Sequence, residues 1–182
     1  MAKILIPLAS GFEEIEAITN IDVLRRAGLE VLTAGIGSKE IEGDHGIKVK
    51  TDTTIEEVKV EDLKAVVLPG GMPGASNLRD SNQLLNIIKK LSEENKLCAA
   101  ICAAPIVLEA AGILDGKKAT SYPGFDKDMS SCNYQNDRVV IDGNLITGRG
   151  PGVAMEFAMT IVECLIDEET KRELQKSMIV KN

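Results

Sequence analysis

Cys102 is the residue whose type and surroundings most clearly predict chemistry. It ends a short apolar run, and small residues and Pro105 follow it, a pattern typical of a strand that turns abruptly into a helix. Ala100 and Ala104, two positions away on either side, leave room for that turn, as glycines do in a nucleophile elbow. Unpaired N–H groups at a helix start favour an anion, so the pattern predicts a reactive thiol with a lowered pKa. A buried structural cysteine is the alternative that this local pattern leaves open.

Gly70 and Gly71 form a second candidate element, directly after a predicted buried strand. Because they lack Cβ atoms, their backbone N–H groups can approach a ligand oxygen closely. Together with the N–H of Ala103, next to the cysteine, they predict an oxyanion hole, a set of donors for a developing negative charge. A tight turn chosen for backbone freedom is the other interpretation, and both can hold together.

Three carboxylates, Glu13, Glu14 and Glu16, lie in the first turns of the helix that follows the first strand. Carboxylates there complement the helix dipole, and most of these are expected to be solvated. Glu16 follows the apolar Ile15 and is therefore expected to point partly inward over the sheet edge. An ionised Glu16 beside Cys102 would raise the pKa of the thiol, whereas a protonated one would donate a hydrogen bond to a thiolate. In the second arrangement the two groups share a proton and titrate together.

Few other residues could take part in chemistry. His45, the one histidine, lies in a glycine-rich polar segment and is expected at the surface. The four cysteines form no C-x-x-C pair and lie far from it, which argues against a metal site and for reduced thiols. Among them, Cys132 is expected to be more exposed than Cys98 or Cys164. Arg149 precedes a predicted helix, where it either binds an anion or braces the turn, and bracing is favoured.

The composition excludes several classes of protein. A length of 182 residues is enough for one α/β domain. The 21 Lys and Arg against 28 Asp and Glu give a net charge of −7 with the charges scattered, so neither nucleic acid nor a membrane is an expected partner. No glycine cluster has the spacing of a dinucleotide-binding or phosphate-binding loop, and no cofactor is expected. The apolar run 4–9 is too short for the core of a signal peptide, which predicts a cytoplasmic protein.

The hydrophobic pattern supplies the elements that position these residues. Strands are predicted at 3–8, 29–36, 63–68 and 98–101, hairpins at 41–49 and around 142–144, and helices at 12–27, 81–91, 103–111 and 152–166, the last a packed interior helix. This alternation predicts a mostly parallel sheet with helices on both faces. Ser10-Gly11, Gly70-Gly71 and Cys102 all follow strands, so they are expected to meet at the carboxyl edge of that sheet, where such folds bind ligands.

The chain resembles the ThiJ/PfpI superfamily, and within it the DJ-one branch, from end to end. The matching segments are GFEEIE at 11–16, DVLRRAG at 22–28, VVLPGG at 66–71, AAICAAP at 99–105 and GRGPG at 148–152. The resemblance implies one flavodoxin-like three-layer α/β sandwich over 1–182 and a homodimer. It also implies a reactive elbow cysteine at Cys102 with a protonated carboxyl partner at Glu16, and backbone N–H groups supplied by Gly70 and Gly71.

The chain departs from the family pattern at Tyr122. Relatives commonly have a histidine before the proline that follows the elbow helix, and here Tyr122 takes that place. A phenol, with an ordinary pKa of about 10, is a poor base near neutral pH, so Tyr122 is expected to contact substrate rather than move protons. The family's dimer contacts imply that Arg26 and His45 meet across a two-fold axis near the site.

The sequence leads to two candidate functions of different classes. The first is a cysteine-dependent stress-response enzyme of glyoxalase or deglycase type, acting on a small reactive carbonyl or a glycated substrate through Cys102, Glu16 and the glycine N–H groups. The alternative is an oxidative-stress sensor or redox-regulated chaperone in which Cys102 is oxidised without turnover. Peptidase activity is the least expected, because a leaving amine needs a good general acid.

Overall fold

The computed structural model describes residues 2–180. The strands are β1 (Lys3–Leu8), β2 (Val31–Gly35), β3 (Glu40–Glu42), β4 (Lys48–Lys50), β5 (Thr53–Thr54), β6 (Leu63–Leu68), β7 (Leu97–Ile101), β8 (Lys118–Ala119), β9 (Asn133–Tyr134), β10 (Val139–Asp142) and β11 (Leu145–Gly148). The helices are α1 (Glu14–Arg26), α2 (Gly74–Arg79), α3 (Asn82–Glu93), α4 (Pro105–Ala110), α5 (Ala154–Leu165) and α6 (Glu168–Ser177).

One seven-stranded sheet, in the order β10-β11-β7-β6-β1-β2-β5, organises the fold. Every neighbouring pair is parallel except the hairpin of β10 and β11. The central strands β1, β6 and β7 consist mainly of aliphatic residues because both of their faces are covered. The prediction of a mostly parallel, flavodoxin-like α/β sandwich is confirmed.

The sheet divides the core into two clusters, one on each face. Side chains alternate along β1, so Ile4 and Ile6 pack in the cluster with α1, α5 and α6, while Leu5 packs in the cluster with α2, α3 and α4. Along β7, Ala99 and Ile101 enter the first cluster, and Cys102 packs against it. Cys102 thus stands at the carboxyl edge of a central strand, above a fully packed interior.

Helix α5 differs from its prediction. It was expected to begin at 152 and to lie wholly inside, but a 3₁₀ turn at Pro151–Val153 precedes it, and only one side of the helix is buried. It has 12 residues, well short of the roughly 20 apolar residues that cross a bilayer. Among residues 2–180, no helix is long and apolar enough to span a membrane. The cytoplasmic location stays a prediction.

The structure also contains elements that the hydrophobic pattern did not predict. Helix α6 follows α5 directly and is capped by Asp167, whose side chain accepts a hydrogen bond from the N–H of Thr170. The short strands β5, β8 and β9 have two residues each, too few to produce a periodic signal. Of these strands, β5 is the edge strand of the seven-stranded sheet, and β8 and β9 form a separate two-stranded sheet.

Candidate active site

The Cys102 elbow is built from the end of β7 and the start of α4. The helix begins at Pro105, two residues later than expected, and Cys102 has the left-handed φ of +63° that an abrupt reversal requires. Its main chain is held on both sides: its N–H donates to the carbonyl of Gly148 at 2.9 Å, and its carbonyl accepts from the N–H of Tyr122 at 2.8 Å. The side chain is partly exposed. The turn therefore presents the thiol above the sheet edge in one fixed orientation.

Glu16 lies completely buried in the first turn of α1, directly beside the thiol. Its Oε2 accepts a hydrogen bond from the N–H of Gly70 at 2.8 Å, and the carboxyl also forms a hydrogen bond with the Cys102 side chain. The other oxygen, Oε1, has no backbone or oxygen partner among the described residues. The structure brings Cys102 and Glu16 together as a pair.

Gly70 and Gly71 have different roles from those expected. The Gly70 N–H is occupied by Glu16, so it orients the carboxyl and is not free for a ligand oxygen. The N–H groups of Gly71 and Ala103 are the ones that point at the Cys102 sulfur. A Cβ on Gly70 would lie 2.7 Å from the Cβ of Cys102, and Gly71 has a φ of +88°. Both positions therefore need glycine, one for close packing and one for its backbone angle.

Burial controls the protonation of the pair. It raises the pKa of the Cys102 thiol to about 12, with a further contribution from the Glu16 carboxylate, while the N–H groups of Ala103 and Gly71 act in the opposite direction. Burial also raises the pKa of Glu16 to about 7, against hydrogen bonds from Gly70 and Cys102. The expectation of a lowered thiol pKa rested on the N–H groups at the helix start, and burial outweighs their effect. Because two adjacent buried anions repel each other, Cys102 and Glu16 share one proton above about pH 7.

Glu14 was expected to be solvated, but it is buried and fastens a hairpin to α1. Its Oε1 accepts the N–H of His45 at 2.7 Å, and its Oε2 lies 2.8 Å from Nδ1 of the same residue. Burial opposes the charge on Glu14, but the hydrogen bonds from His45 and Ile47 outweigh it and lower the pKa of the carboxyl. The same contact raises the pKa of His45. The His45 imidazole thus helps to hold the β3–β4 hairpin against α1.

One group of side chains could hold a metal ion by its geometry. Ligand atoms of Glu13, Asp44 and His45 lie within 4.8 Å of one another, and Asp44 and His45 are exposed. The sequence argument against a metal considered His45 and the cysteines but not carboxylates, and the tertiary structure brings Glu13 to the adjacent pair Asp44-His45. One ring nitrogen of His45 already contacts Glu14, which leaves Nε2 for an ion.

Tyr122 and Arg26 occupy different parts of the chain. The main chain of Tyr122 contacts Cys102, its side chain is half exposed, and its ring lies against Gly150, where a Cβ would approach Cδ2 to 3.1 Å. Arg26 is at the far end of α1 and donates to Asp22 at 2.7 Å. Within one chain Arg26 does not meet His45, so their contact across a two-fold axis stays a prediction.

The other cysteines have a different order of exposure from the one expected. Cys98 is buried, and burial raises the pKa of its thiol to about 12. Cys132 is partly buried, and Cys164 is the exposed one. The expectation for Cys164 was wrong because α5 buries only one side and this residue lies on the other. What distinguishes Cys102 from the other three cysteines is therefore its neighbours, the Glu16 carboxyl and the N–H groups of Gly71 and Ala103, and not its exposure.

Comparison with known proteins places this geometry in a family. The sequence profile of the DJ-1/PfpI family matches residues 2–164. DJ-1 homolog B of Arabidopsis thaliana is 42% identical over 180 residues, 98% of this chain but only 41% of that protein, so the chain spans less than half of it. A deglycase of Pyrococcus abyssi is 38% identical over 165 residues, 90% of this chain and 99% of that one. The crystal structure of Drosophila melanogaster DJ-1beta superposes with a TM-score of 0.95 at 39% identity, covering 100% of this chain and 99% of that one. The chain belongs to the DJ-1/PfpI family.

Proposed function

We propose that this protein is a cysteine-dependent enzyme that acts on reactive carbonyls, of glyoxalase or deglycase type. The observation that carries the proposal is the convergence of the Cys102 thiol, the Glu16 carboxyl and the N–H groups of Gly71 and Ala103 at one sheet edge. The similarity to a Pyrococcus abyssi deglycase supports the same class of substrate. Methylglyoxal is a small α-oxoaldehyde of that class.

The first step is addition of the thiolate to the aldehyde. The pair reacts in the form that has its one proton on Glu16, so that the sulfur is free to attack the aldehyde carbon. A sulfur–carbon bond forms, the carbon–oxygen double bond becomes single, and Glu16 gives its proton to the new oxyanion. The N–H groups of Gly71 and Ala103 face the sulfur and stabilise the charge that develops on the neighbouring oxygen.

The second stage returns the enzyme to its starting state. The Glu16 carboxylate removes the hydrogen of the former aldehyde carbon as a proton and delivers it to the adjacent carbon. The hydroxyl proton on the first carbon moves to the oxygen of the second, and the hemithioacetal becomes a thioester of a 2-hydroxy acid. Water then adds to the thioester, the 2-hydroxy acid leaves, and Cys102 and Glu16 regain one proton between them. The net change is one α-oxoaldehyde and one water to one 2-hydroxy acid, without oxidant or reductant.

A peptidase is a poor fit because the site has no imidazole. His45 is fastened to Glu14, and Tyr122 stands where relatives have a histidine. Glu16 can move protons on a carbonyl adduct, but expulsion of an amine requires a second good acid. In this proposal Tyr122 contacts the substrate.

Lactate formation from methylglyoxal tests the proposal. Cys102→Ser is expected to abolish turnover, whereas Cys164→Ser, at the exposed cysteine, is the matched control and is expected to retain it. The rate constant kcat/KM should rise with pH through about 7 as the pair loses its first proton, and Glu16→Gln should remove that step together with most of the activity. Turnover by Cys102→Ser equal to that of the wild type would rule the mechanism out.

A second candidate is an oxidative-stress sensor or chaperone switch at Cys102. The observation that favours it is the same pair of N–H groups, on Gly71 and Ala103, which suits the oxygens of a cysteine sulfinate as well as a reaction oxyanion. Mild peroxide should then oxidise Cys102 before the more exposed Cys164, as measured by mass spectrometry. Oxidation of Cys164 first would exclude this function.

We also propose that the protein is a homodimer through α1 and the β3–β4 hairpin. Three isoleucines there are unusually exposed: Ile15 at 57%, Ile18 at 43% and Ile47 at 55%. Ile15 and Ile18 are three residues apart and share one face of α1, and the N–H of Ile47 approaches Glu14 on the same helix. Light scattering should give twice the chain mass, and Ile18→Glu should give a monomer. A monomeric wild type would refute the proposal.

A further inference from the structure

An open cavity of about 330 Å³ lies beside the elbow, and of the residues that line it the reaction described above uses only Tyr122. Its walls are mainly apolar, from Pro123, Pro151, Val153 and the Tyr122 ring, and Arg138 and Arg149 also line it. Tyr122 donates its N–H to the Cys102 carbonyl, and Gly148, next to Arg149, accepts the Cys102 N–H. Two of the segments that form the cavity are therefore bonded directly to the main chain of Cys102.

The two arginines differ in how their charges are balanced. Arg138 donates from Nε to Glu156 at 2.8 Å, so its charge is neutralised. Arg149 donates one hydrogen bond, from Nη1 to the amide oxygen of Asn136 at 3.2 Å. Among residues 2–180, no carboxylate lies within ion-pair distance of Arg149, which is half-buried. A guanidinium has five N–H donors, so most of those on Arg149 remain for a ligand.

Tyr122 completes the polar side of the cavity. Its ring lies against the bare backbone of Gly150, and its hydroxyl has no hydrogen-bond partner in the described part of the chain. The cavity thus offers an uncompensated planar cation and a free hydroxyl on otherwise apolar walls. That combination fits a short aliphatic chain ending in a carboxylate, because the guanidinium fork matches a carboxylate and the walls match methylenes.

We infer that this cavity selects carbonyl substrates with a carboxylate at the far end, and that Arg149 is the residue that binds it. The inference rests on the proposed function for its reaction, and it adds no chemical step to it. Because two of the lining segments are hydrogen-bonded to the main chain of Cys102, we take a short linker of two methylenes as the simplest connection between an aldehyde at the thiol and a carboxylate at Arg149. An α-oxoaldehyde of this form is 4,5-dioxopentanoate, and 2-oxopentanal is its neutral counterpart.

Steady-state kinetics with these two compounds test the inference. The wild type should prefer 4,5-dioxopentanoate in kcat/KM by about tenfold or more, mainly through KM, because a charge-assisted hydrogen bond has that effect. Arg149→Gln should lose this preference while turning over 2-oxopentanal normally, and Arg149→Lys should keep part of it. Asn136→Ala removes the hydrogen bond that Arg149 donates to Asn136 but keeps the charge of Arg149, so this variant should behave as the wild type.

Equal kcat/KM for the two compounds in the wild type would overturn the inference. So would an equal loss of preference in Asn136→Ala and Arg149→Gln, since that is the behaviour of a purely structural brace.

A binding measurement separates this inference from the proposed function. The unreactive ketone 4-oxopentanoate should slow the alkylation of Cys102 by iodoacetamide at lower concentration than 2-pentanone does, as followed by mass spectrometry. Arg149→Gln should remove that difference. If neither aldehyde is turned over, the proposed function fails, and protection by 4-oxopentanoate that depends on Arg149 still supports the carboxylate site. Equal protection by the two ketones contradicts the site whatever the turnover.

Discussion

Replacing the buried Glu16 by glutamine should make the protein more stable at alkaline pH. Burial raises the pKa of this carboxyl from 4.5 to about 7. Between these two values the folded chain keeps a proton that the unfolded chain has lost, so the free energy of unfolding falls as pH rises through this window. At 1.36 kcal/mol per pH unit the total loss is about 3 kcal/mol, most of it between pH 5 and pH 8.

Glutamine occupies nearly the same volume and has no charge to bury. Its amide oxygen can accept the Gly70 N–H that now bonds Oε2. We therefore expect the stability of Glu16→Gln relative to the wild type to increase by about 2 to 3 kcal/mol from pH 5 to pH 8, while turnover is lost. Urea unfolding of both proteins at several pH values measures this difference, and other titrating groups cancel because they are common to both.

A Cys102→Ser background provides the control, and a stability difference that does not depend on pH would contradict the prediction. Burial is the largest cause of the raised pKa of Glu16. The same pH dependence should therefore persist when the Cys102→Ser variant is compared with the double variant that carries both Cys102→Ser and Glu16→Gln. A stability difference that stays constant within about 0.5 kcal/mol between pH 5 and pH 8 would show that the carboxyl is not perturbed.

Three further substitutions test other parts of the structure. Gly70→Ala places a methyl 2.7 Å from the Cys102 Cβ, so it should cost about 1 to 3 kcal/mol in urea unfolding and remove turnover. His45→Gln removes a group whose pKa is raised by Glu14; its stabilisation is complete below the unfolded pKa of 6.5 and is lost as pH rises through the higher folded value. The stability deficit of His45→Gln should therefore be present at pH 5 and shrink as the pH rises above the raised pKa of the folded protein. Cys164→Ser should remove the thiol that a bulky disulfide reagent labels fastest, and unchanged labelling kinetics would contradict its exposure.

The parts of the fold that could be predicted from sequence are those with a strong local signal. The strand at Leu63–Leu68 was predicted with its observed bounds, because a mainly aliphatic run that ends at Pro69-Gly70 has few other interpretations. Cys102 was identified because small residues on both sides of one cysteine are informative about backbone geometry. Glu16 was identified only through its position after Ile15 and through the family resemblance.

The remaining features of the site depend on contacts between distant segments, which no local pattern contains. The Gly70 N–H is occupied by a carboxyl 54 positions earlier, and Glu14 binds a hairpin residue 31 positions later. The raised pKa of Cys102 follows from how deeply the packed elements bury it. The exposure of Cys164 follows from which side of α5 faces the sheet. Because that helix is apolar on most of its surface, its sequence does not indicate which side is buried.

The positive φ of Cys102 has a consequence for the stability of the fold. Three described residues other than glycine have such an angle: Asn95, a type that tolerates it, Ile179, just after the last helix, and Cys102 at the carboxyl edge of the sheet. A side chain in that conformation costs about 1 kcal/mol that glycine would not. Stability alone would therefore favour glycine at this position. A thiol at this position therefore costs stability, and strain of this kind is concentrated at functional sites.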